Sequence, residues 1–266
     1  MTVPESSGNW NDLRTRVISG VTLGVIGLVD VWAGGAWFMA LIAVVCGLMV
    51  WELTRMTNPD NSAAALQLGA LGAVAIVLAY FLPSYLSVPL LVAPAIVGIS
   101  LLTAFRARFL VYCVAILLAG DGFLIIRDSF GLAWMLWLVL VVIATDVAGY
   151  FAGRAFGGPK FWPQISPKKT WSGTVAGWIA AAVVGLIFAL VTDIGLKAVL
   201  LGPPLAFGSQ LGDIAESALK RKVGVKDSSA LIPGHGGVMD RFDGMMGASL
   251  TFMLLSFYAA ARATAL

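Results

Sequence analysis

Charged side chains are scarce in this chain. Asp, Glu, Lys and Arg make up 12% of its 266 residues, whereas soluble domains carry about 25%. Hydrophobic residues reach 59%, and the mean hydropathy is +0.92. This balance excludes an ordinary soluble domain and predicts an integral membrane protein. Because the net charge is only +3, the positions of the basic residues are more informative than their sum.

Cysteine and histidine are almost absent, with two cysteines and one histidine. Cys46 and Cys113 lie far apart in apolar runs, which argues against a disulfide framework and against the usual nitrogen and sulfur ligands of zinc. A Walker-type phosphate loop, a dinucleotide-binding fingerprint and a nucleophile elbow are also missing. Carboxylates and basic side chains are therefore the first candidates for chemistry.

Long apolar runs predict an all-α, polytopic membrane protein with about nine spanning helices, since a span needs about 20 mostly apolar residues. The runs cover residues 16–33, 35–54, 63–82, 85–104, 109–126, 131–151, 173–192, 196–217 and 245–262. We treat 1–266 as a single membrane domain. Within it, 1–130 would form N-terminal helices and 131–266 a catalytic half with two polar loops, 152–172 and 213–244.

The distribution of basic residues predicts the orientation, because positively charged loops stay on the cytoplasmic side. With the N-terminus inside, fourteen of the seventeen Lys and Arg residues fall on the inner side. The other three are Arg127, Lys197 and Arg262. We therefore expect a cytoplasmic N-terminus, an odd number of spans and cytoplasmic polar loops. The expected location is the cell inner (plasma) membrane, with the active site facing the cytoplasm.

The first polar group begins in the sixth run. Asp146 is a carboxylate inside an apolar segment, which is costly and by default marks a functional site or a buried partner. Tyr150 lies four residues later and shares a helical face with it. A simpler alternative is that Asp146 caps the helix or pairs with Arg154.

The second polar group precedes the seventh run and contains Ser166, Lys168, Lys169 and Thr170. Hydroxyls and lysines at the start of a helix form an environment that favours anions such as phosphate. The alternative is an interfacial anchor, with the lysines on lipid head groups and Trp162 and Trp171 at head-group depth. Composition alone does not separate the two.

The third group is the densest. At helical spacing, one polar stripe is formed by Asp213, Glu216, Ser217 and Lys220. Asp240 and Asp243 repeat the three-residue spacing after a turn. Carboxylate oxygens suit a hard cation such as Mg²⁺, and nearby Lys and Arg side chains would hold phosphate. His235 lies among glycines in that turn, where both a functional and a structural role stay open.

These segments resemble the phosphatidate cytidylyltransferases, also called CDP-diacylglycerol synthases. The matching signature runs from Ser217 through Lys220–Arg221, Lys226–Asp227 and Pro233–Gly237 to Asp240–Arg241–Phe242–Asp243. Asp146–Gly157, Ser166–Trp171 and Gln210–Glu216 resemble the same family. Two departures are Val147–Ala148, where a hydroxyl residue is usual, and Ser172, where Glu is usual.

The resemblance implies transfer of CMP from CTP to phosphatidic acid, giving CDP-diacylglycerol and pyrophosphate with Mg²⁺. It leaves room for a second, monovalent cation. The expected partners are CTP, phosphatidic acid and the bilayer, with no nucleic acid; a homodimer stays open.

Three sets of site residues are expected on this basis. The metal would be held by Asp213, Asp240 and Asp243. These three aspartates form the catalytic group together with Lys220 and Arg221. The substrate-binding residues would be Asp146, Ser166, Lys168, Lys169, Ser217, Lys226, Asp227, His235 and Arg241.

Two rival functions remain at this level. A CTP-dependent polyprenol or phytol kinase would transfer the γ-phosphate to an isoprenoid alcohol. An ion-coupled transporter would use Asp146, Asp213 and Glu216 as an ion path. The charges cluster at one face and not at the bilayer midplane, which counts against transport.

Overall fold

The structure, a computed structural model, describes residues 8–264, apart from the side chains of residues 8–13, Ser84 and 262–264. Within these limits the chain forms nine α-helices and one small antiparallel sheet. The helices are α1 Gly8–Ala33, α2 Gly35–Thr57, α3 Ser62–Tyr80, α4 Ser84–Leu101, α5 Arg106–Ile125, α6 Leu132–Phe156, α7 Trp171–Val191, α8 Lys197–Val223 and α9 Met239–Thr264. A π-helical turn, Ile126–Phe130, continues α5. The strands are β1 Lys160–Trp162 and β2 Ser166–Thr170.

The all-α, multi-pass membrane architecture is confirmed, and each predicted run lies mostly within one helix. Seven helices of the described chain are long and apolar enough to cross a membrane. The apolar part of α4, Tyr85–Leu101, is shorter, and α8 is more polar. The count of nine spans and the orientation of the N-terminus therefore stay predictions.

The helices near the polar loops extend further than their apolar runs. α6 continues to Phe156, α8 to Val223, and α9 begins at Met239. The apolar pattern missed these ends because a helix can carry polar side chains beyond the hydrocarbon layer without losing its backbone hydrogen bonds. In the loop 152–172, the chain forms the β1–β2 hairpin, since Pro159, Pro163 and Pro167 disfavour a continuous helix.

The bundle has two closely packed regions. α2 packs against α3 and α5, while α6, α7, α8 and α9 pack in sequence order. The contact between α8 and α9 is especially close, because a Cβ atom at Gly212 would overlap the Asp243 carbonyl group. Glycine at this position therefore brings Asp213 next to the start of α9.

Two contacts bring polar segments together at one end of the bundle. Ser19 of α1 contacts the segment before α9, with its Oγ 2.8 Å from His235 Nδ1. Lys169 of β2 forms a salt bridge with Asp213 of α8. At the opposite end, Arg127 donates to the Val31 and Trp32 carbonyls at the end of α1. Both polar loops therefore lie at the same end.

Candidate active site

A cavity of about 460 Å³ opens between α6, β2, α7 and α8. Four residues that the sequence placed in separate groups line it together: Asp146, Lys168, Lys169 and Asp213. The wall is completed by Thr145, Gly149, Tyr150, Gly153, Arg154, Thr170, Gly173, Thr174 and Gln210. The cavity thus combines basic and acidic side chains at the polar end of the bundle.

Lys169 crosses the cavity from the hairpin to α8. Its Nζ forms a salt bridge with Asp213 and lies 3.5 Å from the Gln210 carbonyl oxygen. The side chain of Gln210 is fixed below, where it accepts from Trp178 Nε1 (3.0 Å) and donates to the Thr174 carbonyl (3.2 Å). Lys169 and Asp213 remain partly exposed, at 24% and 35%, so both are accessible to a ligand.

The α6 wall presents Asp146, Tyr150 and Arg154 along one face. Arg154 Nη1 donates to the Tyr150 hydroxyl at 3.0 Å. Within the described residues no Asp146–Arg154 salt bridge forms, and Asp146 instead lies within electrostatic range of Lys169 and Asp213. Asp146 therefore belongs to the cavity.

The hairpin is joined to α7 through hydroxyl groups. Thr170 caps α7 by accepting from the Gly173 N–H (3.2 Å). Ser172, where the resembling family usually has Glu, donates to the Gly157 carbonyl and lies 3.0 Å from Thr170 Oγ1. Ser166 lies on β2 opposite Trp162 and is not among the cavity-lining residues just given.

Lys220 joins α8 to α9. Its Nζ lies 2.7 Å from Glu216 Oε2 and 2.6 Å from Asp240 Oδ1. Burial lowers the pKa of the Lys220 ammonium, but the hydrogen bonds to Asp240 and Glu216 raise it by more, so the pKa lies above its ordinary value. Lys220 is therefore a fixed positive charge that holds two carboxylates.

Asp240 also forms hydrogen bonds with both ends of the segment before α9. We call this segment, residues 228–238, the glycine turn. Asp240 Oδ2 accepts from Ser228 N (2.9 Å), Ser228 Oγ (2.8 Å) and Gly237 N (2.8 Å). With Lys220 on Oδ1, both carboxylate oxygens are occupied. In this arrangement Asp240 supports the turn.

A further carboxylate of this region was missed at the sequence level. Glu52, near the end of α2, is fully buried and accepts hydrogen bonds from the glycine turn. Its sequence signal was available, because an acidic residue inside an apolar run is costly and needs a partner. The partner itself could not be read from the sequence, since it lies 176 to 187 positions away.

Asp146, Asp213 and Asp243 form a second group of carboxylates, in which Lys169 pairs with Asp213. Asp243 lies within electrostatic range of Asp213 and Asp146, and its Oδ1 accepts from the Gly244 N–H at 2.7 Å. Among the described residues, Glu216 Oε1 is buried and has no hydrogen-bond partner. A buried oxygen of this kind is costly unless it is hydrogen-bonded.

The donor chemistry fits a hard cation such as Mg²⁺, which takes one or two protein carboxylates and retains water and phosphate ligands. No three such side chains of the described chain are already gathered around one point. The residues that would hold the ion are Asp213 and Asp243, with Asp146 beside them. Asp240, the third expected metal ligand, is occupied by its four hydrogen-bonding partners.

The remaining predicted residues lie around this centre. His235 contacts Ser19 at one ring nitrogen, and its carbonyl accepts from Arg241 Nε (3.0 Å) and Nη2 (2.7 Å). Ser217 is partly buried on α8. Four residues are exposed and do not line the cavity: Arg221, Lys226, Asp227 and Arg241.

Comparison with known proteins identifies the class to which this site belongs. A model of the cytidylyltransferase family matches residues 14–259. The chain therefore belongs to that family.

Individual relatives of the chain carry a more specific name than the family. The phosphatidate cytidylyltransferase of Brucella suis is 37% identical over 254 residues, covering 92% of this chain and 93% of the relative. The Bacillus subtilis protein of the same name is 31% identical, covering 88% and 94%. The Haemophilus influenzae one is 43% identical over 135 residues, covering 48% and 47%.

Proposed function

We propose that this protein is a phosphatidate cytidylyltransferase, which transfers CMP from CTP to phosphatidic acid. A phosphate oxygen of the lipid attacks the α-phosphorus of CTP, the bond from that phosphorus to the bridging α–β oxygen breaks, and pyrophosphate leaves. The products are CDP-diacylglycerol and pyrophosphate. The observation that carries the proposal is the cavity in which Lys168, Lys169 and Arg154 face Asp146 and Asp213.

This reaction matches the side chains available. The lipid phosphate is already a nucleophile, so no Ser, Cys or His needs activation. Catalysis then consists of bringing two anionic substrates together and neutralising their repulsion. Lys168 and Lys169, on β2, are in position to hold phosphate groups from CTP or from the lipid. Lys220, Arg221, Lys226 and Arg241 stay candidates for the triphosphate.

The proposed cofactor is Mg²⁺, with room for a second, monovalent cation. Asp213 and Asp243 would hold Mg²⁺, and Asp146 would support them. When bound, the ion would withdraw charge from the α-phosphate and help pyrophosphate leave. Asp240 contributes by orienting Lys220 and the glycine turn beside these carboxylates.

The proposed setting is the cell inner membrane, with this end of the bundle facing the cytoplasm. CTP would then arrive from water, while phosphatidic acid would enter sideways from the bilayer between helices. The basic residues of the two polar loops support this orientation, because such residues are retained on the cytoplasmic side. A homodimer is compatible with this arrangement.

The decisive experiment incubates the purified protein with labelled CTP and phosphatidic acid, with and without a chelator, and measures the lipid product by mass. We expect a cytidine-containing lipid and pyrophosphate, with activity lost on chelation and restored by Mg²⁺. A parallel incubation replaces phosphatidic acid with an isoprenoid alcohol, and release of CDP with a phosphorylated alcohol there would instead support the kinase. Ion flux without nucleotide consumption would support a transporter.

A further inference from the structure

Glu52 lies in the polar end of the bundle but outside the cavity. It belongs to α2, and its side chain is 0% exposed. Oε1 accepts from Ser229 Oγ (2.6 Å) and Val238 N (2.8 Å), while Oε2 accepts from Met239 N (2.7 Å) and Ser228 Oγ (3.3 Å). Each oxygen therefore accepts one backbone N–H and lies beside one hydroxyl, and the single proton of the Ser228 hydroxyl is shared between Glu52 and Asp240.

Two of these donors belong to the start of α9. The first N–H groups of a helix have no partner within the helix, and a carboxylate there is favoured by the helix dipole. Glu52 supplies that carboxylate to Val238 and Met239 from a different helix, far away in the sequence. The position of α9 relative to α2 is thereby fixed at its first turn.

The same turn of α9 carries Asp240 and leads to Asp243. Ser228 links the two carboxylates, since its Oγ lies 2.8 Å from Asp240 Oδ2 and 3.3 Å from Glu52 Oε2. Asp240 in turn holds Lys220. A continuous polar chain therefore runs from Glu52 on α2, through the glycine turn, to Lys220 on α8.

Gly237 lies where the glycine turn approaches Glu52 very closely. A Cβ atom at Gly237 would overlap Ser228 Oγ and Glu52 Oε1. Any other residue would push the carboxylate and the turn apart. The contact between α2 and the turn thus requires both Glu52 and the absence of a side chain at Gly237.

We infer that Glu52 is a positioning residue for the cytidylyl transfer proposed above. It acts through the glycine turn and the first turn of α9, and it holds Asp240 and Asp243 in the orientation that the reaction needs. Two backbone N–H groups and the Ser229 hydroxyl donate to it, so an acceptor-only carboxylate is required. Glutamine has the same size, but its NH₂ group would face donors at one of the two oxygen positions.

The test compares Glu52→Gln with Leu53→Ala in the full chain, reconstituted in lipid. Leu53 is the next residue, also 0% exposed, and packs in the hydrophobic core. Because it is outside the polar chain, its truncation controls for general loss of stability. Three quantities are measured: kcat with KM for CTP, the melting temperature, and amide hydrogen exchange.

Glu52→Gln should lower kcat on the order of 100-fold, because small displacements of catalytic groups are that costly, with a much smaller rise in KM. Amide exchange should accelerate in residues 228–242 and not elsewhere. Leu53→Ala should lower the melting temperature while kcat per folded molecule stays near that of the unmodified protein. If Glu52→Gln retains kcat, or if its effect follows the folded fraction as in Leu53→Ala, Glu52 is not a positioning residue.

A milder variant covers the case in which Glu52→Gln does not fold. Ser229→Ala removes the hydroxyl that donates to Glu52 Oε1 and should lower kcat on the order of fivefold, as the loss of a single hydrogen bond would, with faster exchange in the same segment. Unchanged kcat and exchange would overturn the inference. Failure of the proposed function is distinguishable, since the unmodified protein would then form no cytidine lipid, whereas the exchange comparison needs no activity.

Discussion

Carboxylates line the cavity and also surround the glycine turn, but the two regions use them differently. In the cavity, Asp213 is partly exposed and has one close cationic partner, Lys169. Around the turn, Asp240 of α9 has partners on both oxygens and Glu52 of α2 is completely buried. The number of hydrogen bonds already satisfied therefore separates a carboxylate that is available to a ligand from one that maintains the structure.

The strongest test of this difference between the two regions is Asp213→Asn. Since Asp213 would hold Mg²⁺, we expect the rate of CDP-diacylglycerol formation to fall on the order of 1,000-fold. The melting temperature should stay within about 1 °C, because a partly exposed ion pair contributes little to stability. Rate and thermal unfolding are measured on the same preparation.

Asp193→Asn provides the control for this substitution. Asp193 is exposed in the connection between α7 and α8, so the same chemical change there should leave the rate unaltered. An Asp213→Asn enzyme that keeps a tenth or more of the original rate would remove Asp213 from the metal site.

Asp240→Asn should reduce both activity and stability. The amide would place its NH₂ group against groups that also donate, so the turn should loosen and the rate should fall on the order of 100-fold. The melting temperature should decrease by roughly 5 °C, because several buried hydrogen bonds are lost. A normal melting temperature with the same loss of rate would mean that Asp240 is a direct metal ligand, as the spacing of the carboxylates first indicated.

The fold was largely predictable from the sequence, whereas the different roles of the individual carboxylates were not. Apolar runs identify helices because hydrocarbon tolerates few other structures, and each run lies mostly within one helix. Helix ends such as Val223 could not be predicted in this way, because the apolar runs stop before them. The role of Asp240 depends on contacts with Ser228 and Gly237 that only the folded turn creates.

The two adjacent lysines of β2 differ in their contacts and in their exposure. Lys169 bridges to α8, whereas Lys168 is more exposed. We therefore expect Lys169→Ala to raise KM for CTP on the order of tenfold and Lys168→Ala on the order of threefold, since a charge is worth more where it is less solvated. Initial rates over a range of CTP concentrations give both values. Equal effects would mean that the two lysines contact phosphate equivalently.

His235 is expected to give the smallest effect. Its ring contacts Ser19 on α1, and Gly20 packs beside it, with a Cβ there 3.5 Å from the ring. His235→Asn and Ser19→Ala should each lower kcat only about threefold, and the double variant should be no worse than either, because both remove one contact. Steady-state kinetics of the three variants, together with the unmodified protein, give the double-mutant cycle. A loss from His235→Asn as large as that of Asp213→Asn would instead place the imidazole on a substrate, and the glycine turn would then belong to the catalytic centre and not to its support.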